Sequence, residues 1–151
     1  IKAMTHLPND FHLFLVGDGV RRPELEALTQ ELSLGNRVHL LGLRTDVPNL
    51  LHAADYVVMS SHFEGLSLSS VEGMSVGKPF LASDVDGLRE VVKGAGILFP
   101  HGDSETLAQA ISNLADNPEE YLAVADRCHL RAKQFDISTM TAGYNNLYKS
   151  L

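Results

Sequence analysis

Positive charge is scarce in this sequence: 12 lysines and arginines stand against 19 aspartates and glutamates, a net charge of −7. Duplex DNA or RNA asks for a basic face, so no nucleic-acid partner is expected. Cysteine is almost missing. The single thiol, Cys128, has no partner for an internal disulfide, which fits a reducing, cytoplasmic compartment. No apolar run approaches the length that spans a bilayer, and no secretory leader pattern is visible. Seven histidines are present, yet none pair at i,i+4 and no Cys/His cluster has ligand spacing, so no metal is expected. Internal repeats and low-complexity linkers are also absent. What remains, in 151 residues with 44% hydrophobic and 21% charged content, is one globular domain with enough apolar surface for a core.

Short apolar runs punctuate the first hundred residues: Phe11–Val16, Val38–Leu41, Tyr56–Met59, Pro79–Ala82 and Gly96–Phe99. They are nearly continuous rather than alternating, as strands covered on both faces require. Stretches of helical period separate them, near Pro23–Leu34, Asp46–Ala53, Ser69–Val76 and Leu88–Val92. The repeat of strand, helix, strand predicts an α/β fold, a Rossmann-like doubly wound parallel sheet. A helical tail follows. Asp103 caps a helix to about Ala115, Asn117-Pro118-Glu119-Glu120 starts another, and a third covers Thr139–Lys149. At the other end Ile1, Ala3, Met4 and Leu7 read as the close of an amphipathic helix that stops at Pro8. A βα domain rarely starts inside a helix, so the expectation for residues 1–151 is a domain whose first strand is missing.

The segment richest in chemistry is Ser60–Pro79, directly after the run YVVM and so at a strand's carboxyl end, where open α/β sheets bind ligands. Glu64-Gly65-Leu66-Ser67 reads as a turn into a helix. Gly65 permits close approach of a ligand to the backbone. The free N–H groups of Leu66, Ser67 and Leu68 make a phosphate site at a positive helix end. Glu64 and Glu72 have seven residues between them. On one helix their α-carbons would be roughly 12 Å apart, beyond the about 5–9.5 Å between the carboxylates of glycosidase pairs. An extended ligand gripped at both ends suits that spacing better than hydrolysis does. A second reading stays open: Ser69-Ser70-Val71-Glu72 is also a capping box, in which Glu72 serves only its own helix.

The run Glu64-Gly65-Leu66-Ser67 … Val71-Glu72-Gly73-Met74-Ser75-Val76-Gly77-Lys78-Pro79 resembles the E-x7-E signature of family 4 (group 1) glycosyltransferases. Val16–Gly19, Val38–Leu43, Ala54-Asp55 with Ser60-Ser61, and Ser83–Val91 resemble other segments of that family in the same order. The resemblance implies the carboxyl-terminal, nucleotide-sugar-binding half of a two-domain GT-B fold, acting as a retaining glycosyltransferase. Glu64 would hold hydroxyls of the donor sugar as the catalytic-site acid, and Glu72 the ribose hydroxyls. The backbone from Gly65 through Leu66, Ser67 and Leu68 would take the diphosphate, the Ser67 hydroxyl adding a donor. Leu43 and Arg44 would contact the base, and Gly17 and Gly19 would line the cleft floor. No cofactor is implied beyond the nucleoside diphosphate sugar as co-substrate, and no metal.

The family's last helix crosses onto its other domain, as Thr139–Lys149 would here. That domain would bring the acceptor, a saccharide or lipid-linked sugar, and the full-length protein would associate peripherally with membranes. The isolated chain would bind nucleotide weakly and transfer nothing. Asp86 replaces the first glycine of the family's S-D-x-G-G, Gly73 replaces an alanine, and the basic pair of the family's first βα unit has no counterpart. Two alternatives remain: a nucleotide-sugar 2-epimerase of similar architecture, and a non-catalytic nucleotide-binding module with Glu72 as a cap.

Overall fold

Each apolar run becomes a strand with ends within two residues of the expected ones: β1 Leu13–Val16, β2 Val38–Gly42, β3 Val57–Met59, β4 Phe80–Ser83 and β5 Ile97–Phe99. The computed structural model describes residues 1–150; Leu151, the last residue of the expected domain, lies outside them. The helices are α1 Arg22–Glu31, α2 Val47–Ala53, α3 Leu68–Ser75, α4 Asp86–Val92, α5 Ser104–Asp116, α6 Pro118–Lys133 and α7 Ile137–Ser150. All strand pairs are parallel, as helical crossovers demand. Among the described residues the strands form two sheets, β1–β2 and β3–β4–β5, rather than one. The split arises because β1 pairs only with β2 and β3 only with β4, so each leaves one edge without a ladder.

Burial is uneven. β4 is covered along its whole length, and the largest side chains exposed by less than 2% all belong to residues 70–128, among them Phe80, Met74, Leu88 and Val124. α4 and α6 pack on β4, α3 packs on β3 and against α6, and α5 closes against β5. Gly73 lets α3 lie close: a Cβ there would sit 2.6 Å from the Phe80 ring and 3.0 Å from Val57. Alanine would improve helix propensity by about 1 kcal/mol but overpack a filled core, which accounts for glycine at this position. The first half differs. β1 was expected to be covered on both faces, yet Phe14 is 57% and Val16 43% exposed. The His39 ring stacks on Phe14 at 4.8 Å and on His12 at 5.5 Å.

The expected helix end at the start of the chain is instead a 3₁₀ turn, Lys2–Thr5, with Ala3, Met4 and Leu7 buried. Long-range contacts anchor the residues that follow it. Arg37, itself buried, donates to the carbonyls of Leu7, Pro8 and Phe11 and to Asn9 Oδ1, fastening this segment to the start of β2.

The caps of the tail fall where the sequence puts them. Asp103 accepts from the Thr106 N–H at 2.9 Å, which holds its carboxyl below the usual range. Asn117 Oδ1 accepts from the Glu120 N–H at 3.1 Å, with Pro118 in the first turn. Replacing Asn117 by alanine orphans that N–H and should destabilise the chain by about 1 kcal/mol. An unchanged urea midpoint would show that α6 gains nothing from the cap. α7 carries no buried residue; Ile137, Met140, Tyr144 and Leu147 form an exposed apolar stripe. Among the described residues no helix is long and apolar enough to cross a membrane.

Candidate functional site

Three loops leave the carboxyl ends of β1, β2 and β3, and they carry the sites read from the sequence. Exposed apolar side chains gather on them: Val20 after β1, Leu43 after β2, and Phe63, Leu66 and Leu68 after β3, each more than two-thirds exposed. Comparable exposure occurs elsewhere, at Ile137 and Tyr148, so these side chains do not by themselves single out this edge.

The loop after β3 enters α3 through Ser67, whose extended backbone and side chain make it the N-cap. Its Oγ accepts from the Ser70 N–H and donates to Met59 Sδ at 3.6 Å. The hydroxyl is therefore turned inward, not into the expected phosphate site. The N–H groups of Leu66, Ser67, Leu68 and Ser69 meet no acceptor among the described residues. They are the unsatisfied donors of a helix start, at its positive end.

That cap also settles one of the two readings of Glu72. With Ser67 as N-cap, Glu72 falls in the second turn, and its carboxylate caps nothing. The capping box expected from Ser69 to Glu72 does not form, because the helix begins two residues earlier than that box requires. Glu72 is exposed and borders a shallow groove of about 230 Å³ between α3 and α6, with Ser75, His129, Lys133 and Phe135.

Glu64 lies four residues before α3, in the loop, so the one-helix distance does not describe the pair. It is half-buried, and Ser61 Oγ donates to its Oε1 at 2.7 Å. Ser83, wholly buried at the end of β4, donates from Oγ to the Ser61 carbonyl at 2.6 Å. Gly87 backs the same loop. A Cβ there would lie 2.0 Å from the Glu64 carbonyl oxygen and 2.4 Å from that of Gly65. Beside Gly87, Arg89 donates to Asp84 Oδ1 at 2.6 Å and to Asp86 Oδ1 at 2.9 Å, so neither acid stands alone.

The remaining candidates are dispersed around this centre. Gly65, Gly17 and Gly19 have open space where a side chain would be, as a close-lying ligand needs. Gly17 donates to the Gly42 carbonyl at 2.8 Å, which ties the loops after β1 and β2 together. Leu43 is 81% exposed, while the Arg44 guanidinium is held by both carboxylate oxygens of Asp46 at 2.8 and 2.7 Å. That pairing lowers the Asp46 carboxyl below its usual range. Arg21 and Arg22 pair with Glu24 and Glu26 at the start of α1, a solvated helix end rather than a phosphate site. Cys128 is buried, and burial pushes its thiol up. Among the described residues no group of three or more His, Cys, Asp and Glu side chains is placed to hold a metal.

Sequence reasoning gave Ser61, Ser83 and Gly87 no role beyond their motifs, and overlooked a contact between the rings of His62 and His101 at 4.2 Å. The segment S-D-V-D-G was a usable signal for Gly87. Nothing local announces the Ser83–Ser61 and His62–His101 contacts, which join residues far apart in the chain.

The family model described as "Glycosyl transferases group 1" matches residues 1–117. The lipopolysaccharide core biosynthesis glycosyltransferase LpsD of Rhizobium meliloti is 36% identical over 152 residues, covering 98% of this chain and 44% of that protein. An Escherichia coli UDP-Gal:alpha-D-GlcNAc-diphosphoundecaprenol alpha-1,3-galactosyltransferase is 34% identical over 75% of this chain and 30% of its own length. Among solved structures, HepE of Anabaena in complex with UDP superposes with a TM-score of 0.91 at 31% identity, over 99% of this chain and 44% of that one. The same protein with UDP-glucose gives 0.89. The chain thus spans less than half the length of these relatives.

Proposed function

This chain belongs to the group 1 glycosyl transferases, and we propose that it is the donor-binding half of an enzyme that moves a sugar from a UDP-sugar to an acceptor hydroxyl with retention of anomeric configuration. The carrying observation is the row of free N–H groups at the start of α3, flanked by Glu64 on one side and Glu72 on the other. Backbone donors suit a diphosphate, and carboxylates suit the hydroxyls of sugar and ribose. UDP as the nucleotide is supported by the likeness to HepE, solved with UDP and UDP-glucose. Glu64 contacts the transferred sugar, Glu72 the ribose, Gly65–Leu68 the diphosphate, Leu43 and Arg44 the base, and Gly17 and Gly19 the cleft floor. Main-chain donors aimed at the leaving diphosphate supply the electrostatic stabilisation, without a metal in this reading.

The acceptor is a saccharide or a lipid-linked sugar, as the names of LpsD and the E. coli galactosyltransferase suggest. It is held by a further domain, and the whole enzyme works at the cytoplasmic side of a membrane. The unpaired edges of β1 and β3 support a further strand between them in that longer protein.

Titration of the chain with UDP, GDP and ADP, in the presence of EDTA, tests the reading. The expected result is UDP binding at least about tenfold tighter than the other two, with amide shifts at Leu43–Arg44 and Gly65–Glu72. Equal response to all three, or none at millimolar UDP, overturns it. In the full-length enzyme, conversion of the donor without any acceptor would point to an epimerase instead.

A further inference from the structure

We propose that Ser61 is a positioning residue for the donor sugar: its hydroxyl fixes the direction in which the Glu64 carboxylate faces. The proposal rests on the reading of Glu64 as the sugar-holding acid. Ser61 Oγ donates to Glu64 Oε1 at 2.7 Å, and Oε2 has no hydrogen-bond partner among the described residues. A carboxylate only accepts, so the serine hydroxyl must be the donor, and its proton is committed to Oε1. One oxygen is thus anchored and the other presented.

Ser61 is itself held from the core. The Ser83 hydroxyl, with no exposure to water, donates to the Ser61 carbonyl at 2.6 Å. From the other side, Gly87 stands against the Glu64 and Gly65 carbonyls, closer than any side chain would permit. The buried end of β4 therefore reaches the Glu64 carboxylate through two hydrogen bonds in series. A glutamate in a loop would otherwise sample several rotamers and lose that freedom on binding. Held in advance, it gives up less, and the benefit appears only for ligands that carry the sugar.

Immobilising one such side chain corresponds to roughly a three- to tenfold difference in affinity. Calorimetric titration with UDP and with UDP-glucose separates the contributions. For Ser61→Ala, UDP affinity is expected to stay as in the wild type while UDP-glucose affinity falls about three- to tenfold. Ser61→Thr, which keeps the hydroxyl, restores it. Ser61→Cys, close in size but a weak donor, follows the alanine variant even should that variant fold poorly. Equal weakening of both ligands, unchanged UDP-glucose affinity in the alanine or cysteine variant, or failure of threonine to rescue overturns the proposal. Glu64→Gln distinguishes the two layers. If it weakens UDP-glucose and Ser61→Ala does not, the role of Ser61 alone falls. If Glu64→Gln changes nothing, or the wild type does not distinguish the two ligands, the sugar-site reading falls and the proposal with it.

Discussion

Replacing Gly87 by alanine is expected to weaken UDP-sugar binding by more than tenfold and to slow sugar transfer in the full-length enzyme about 100-fold, the scale of a 1 Å misplacement of a reacting group. The added Cβ would fall 2.0 Å from the Glu64 carbonyl oxygen and 2.4 Å from the Gly65 oxygen. Both are main-chain atoms, so no side-chain rotation relieves the contact. α4 cannot retreat, because Leu88, Val91 and Val92 are packed with at most 1% exposure. The loop must move, and Glu64 moves with it. Overpacking of this kind also destabilises by about 1–3 kcal/mol, so the melting temperature should fall as well. Gly65→Ala is the internal control, since open space surrounds that position. It should leave the unliganded fold intact and affect only ligand approach. A Gly87→Ala protein with wild-type affinity for UDP-glucose would mean that the loop is not pressed against α4.

The second large effect concerns Glu72. Glu72→Ala is expected to cut UDP affinity about 10- to 100-fold, as loss of a hydrogen bond to a charged group does, while thermal stability is unchanged or slightly raised. The two halves follow from one geometry. Ser67, not Glu72, caps α3, and the Glu72 carboxylate is exposed, so the fold loses no cap. Alanine is also the better helix former. A structural role gives the opposite signature: a lower melting temperature with nucleotide affinity retained. Denaturation and calorimetry on the same two proteins tell these apart, and retained affinity sinks the ribose assignment.

Much of this architecture is legible in the sequence because it is local. Short apolar runs, the Asp103 cap and the Asn117-Pro118 start each announce themselves within a few residues, and the structure agrees. The family was legible through the ordered resemblance of several segments rather than through spacing alone. What escaped is non-local. Ser69 and Ser67 are both plausible caps, and only the contacts of Ser67 with Ser70 and Met59 decide between them. Ser83 reaches Ser61 across 22 residues, and Arg37 gathers acceptors up to 30 residues away. The opening segment has helical periodicity, yet it is a 3₁₀ turn, and Arg37 fastens the residues that follow it. The run in β1 reads as two-sided, but Phe14, met by the His39 ring, stays 57% exposed and Val16 43%.

The uneven burial predicts a stiffer half and a softer half. The well-filled interior belongs to residues 70–128, while the β1–β2 sheet has no large side chain fully enclosed and no ladder to β3. Opening of the soft half requires less free energy than global unfolding. Leu43 and Arg44 ride on the soft half, and Glu64 and Glu72 lie beside or on α3, which packs on the stiff one. On the reading proposed above, a nucleotide that reaches from one to the other would act as a fastener across the seam. Part of its intrinsic affinity would then go into quieting the soft half, and a mutation that stiffens β1–β2 without touching any ligand atom is expected to tighten UDP binding in a titration.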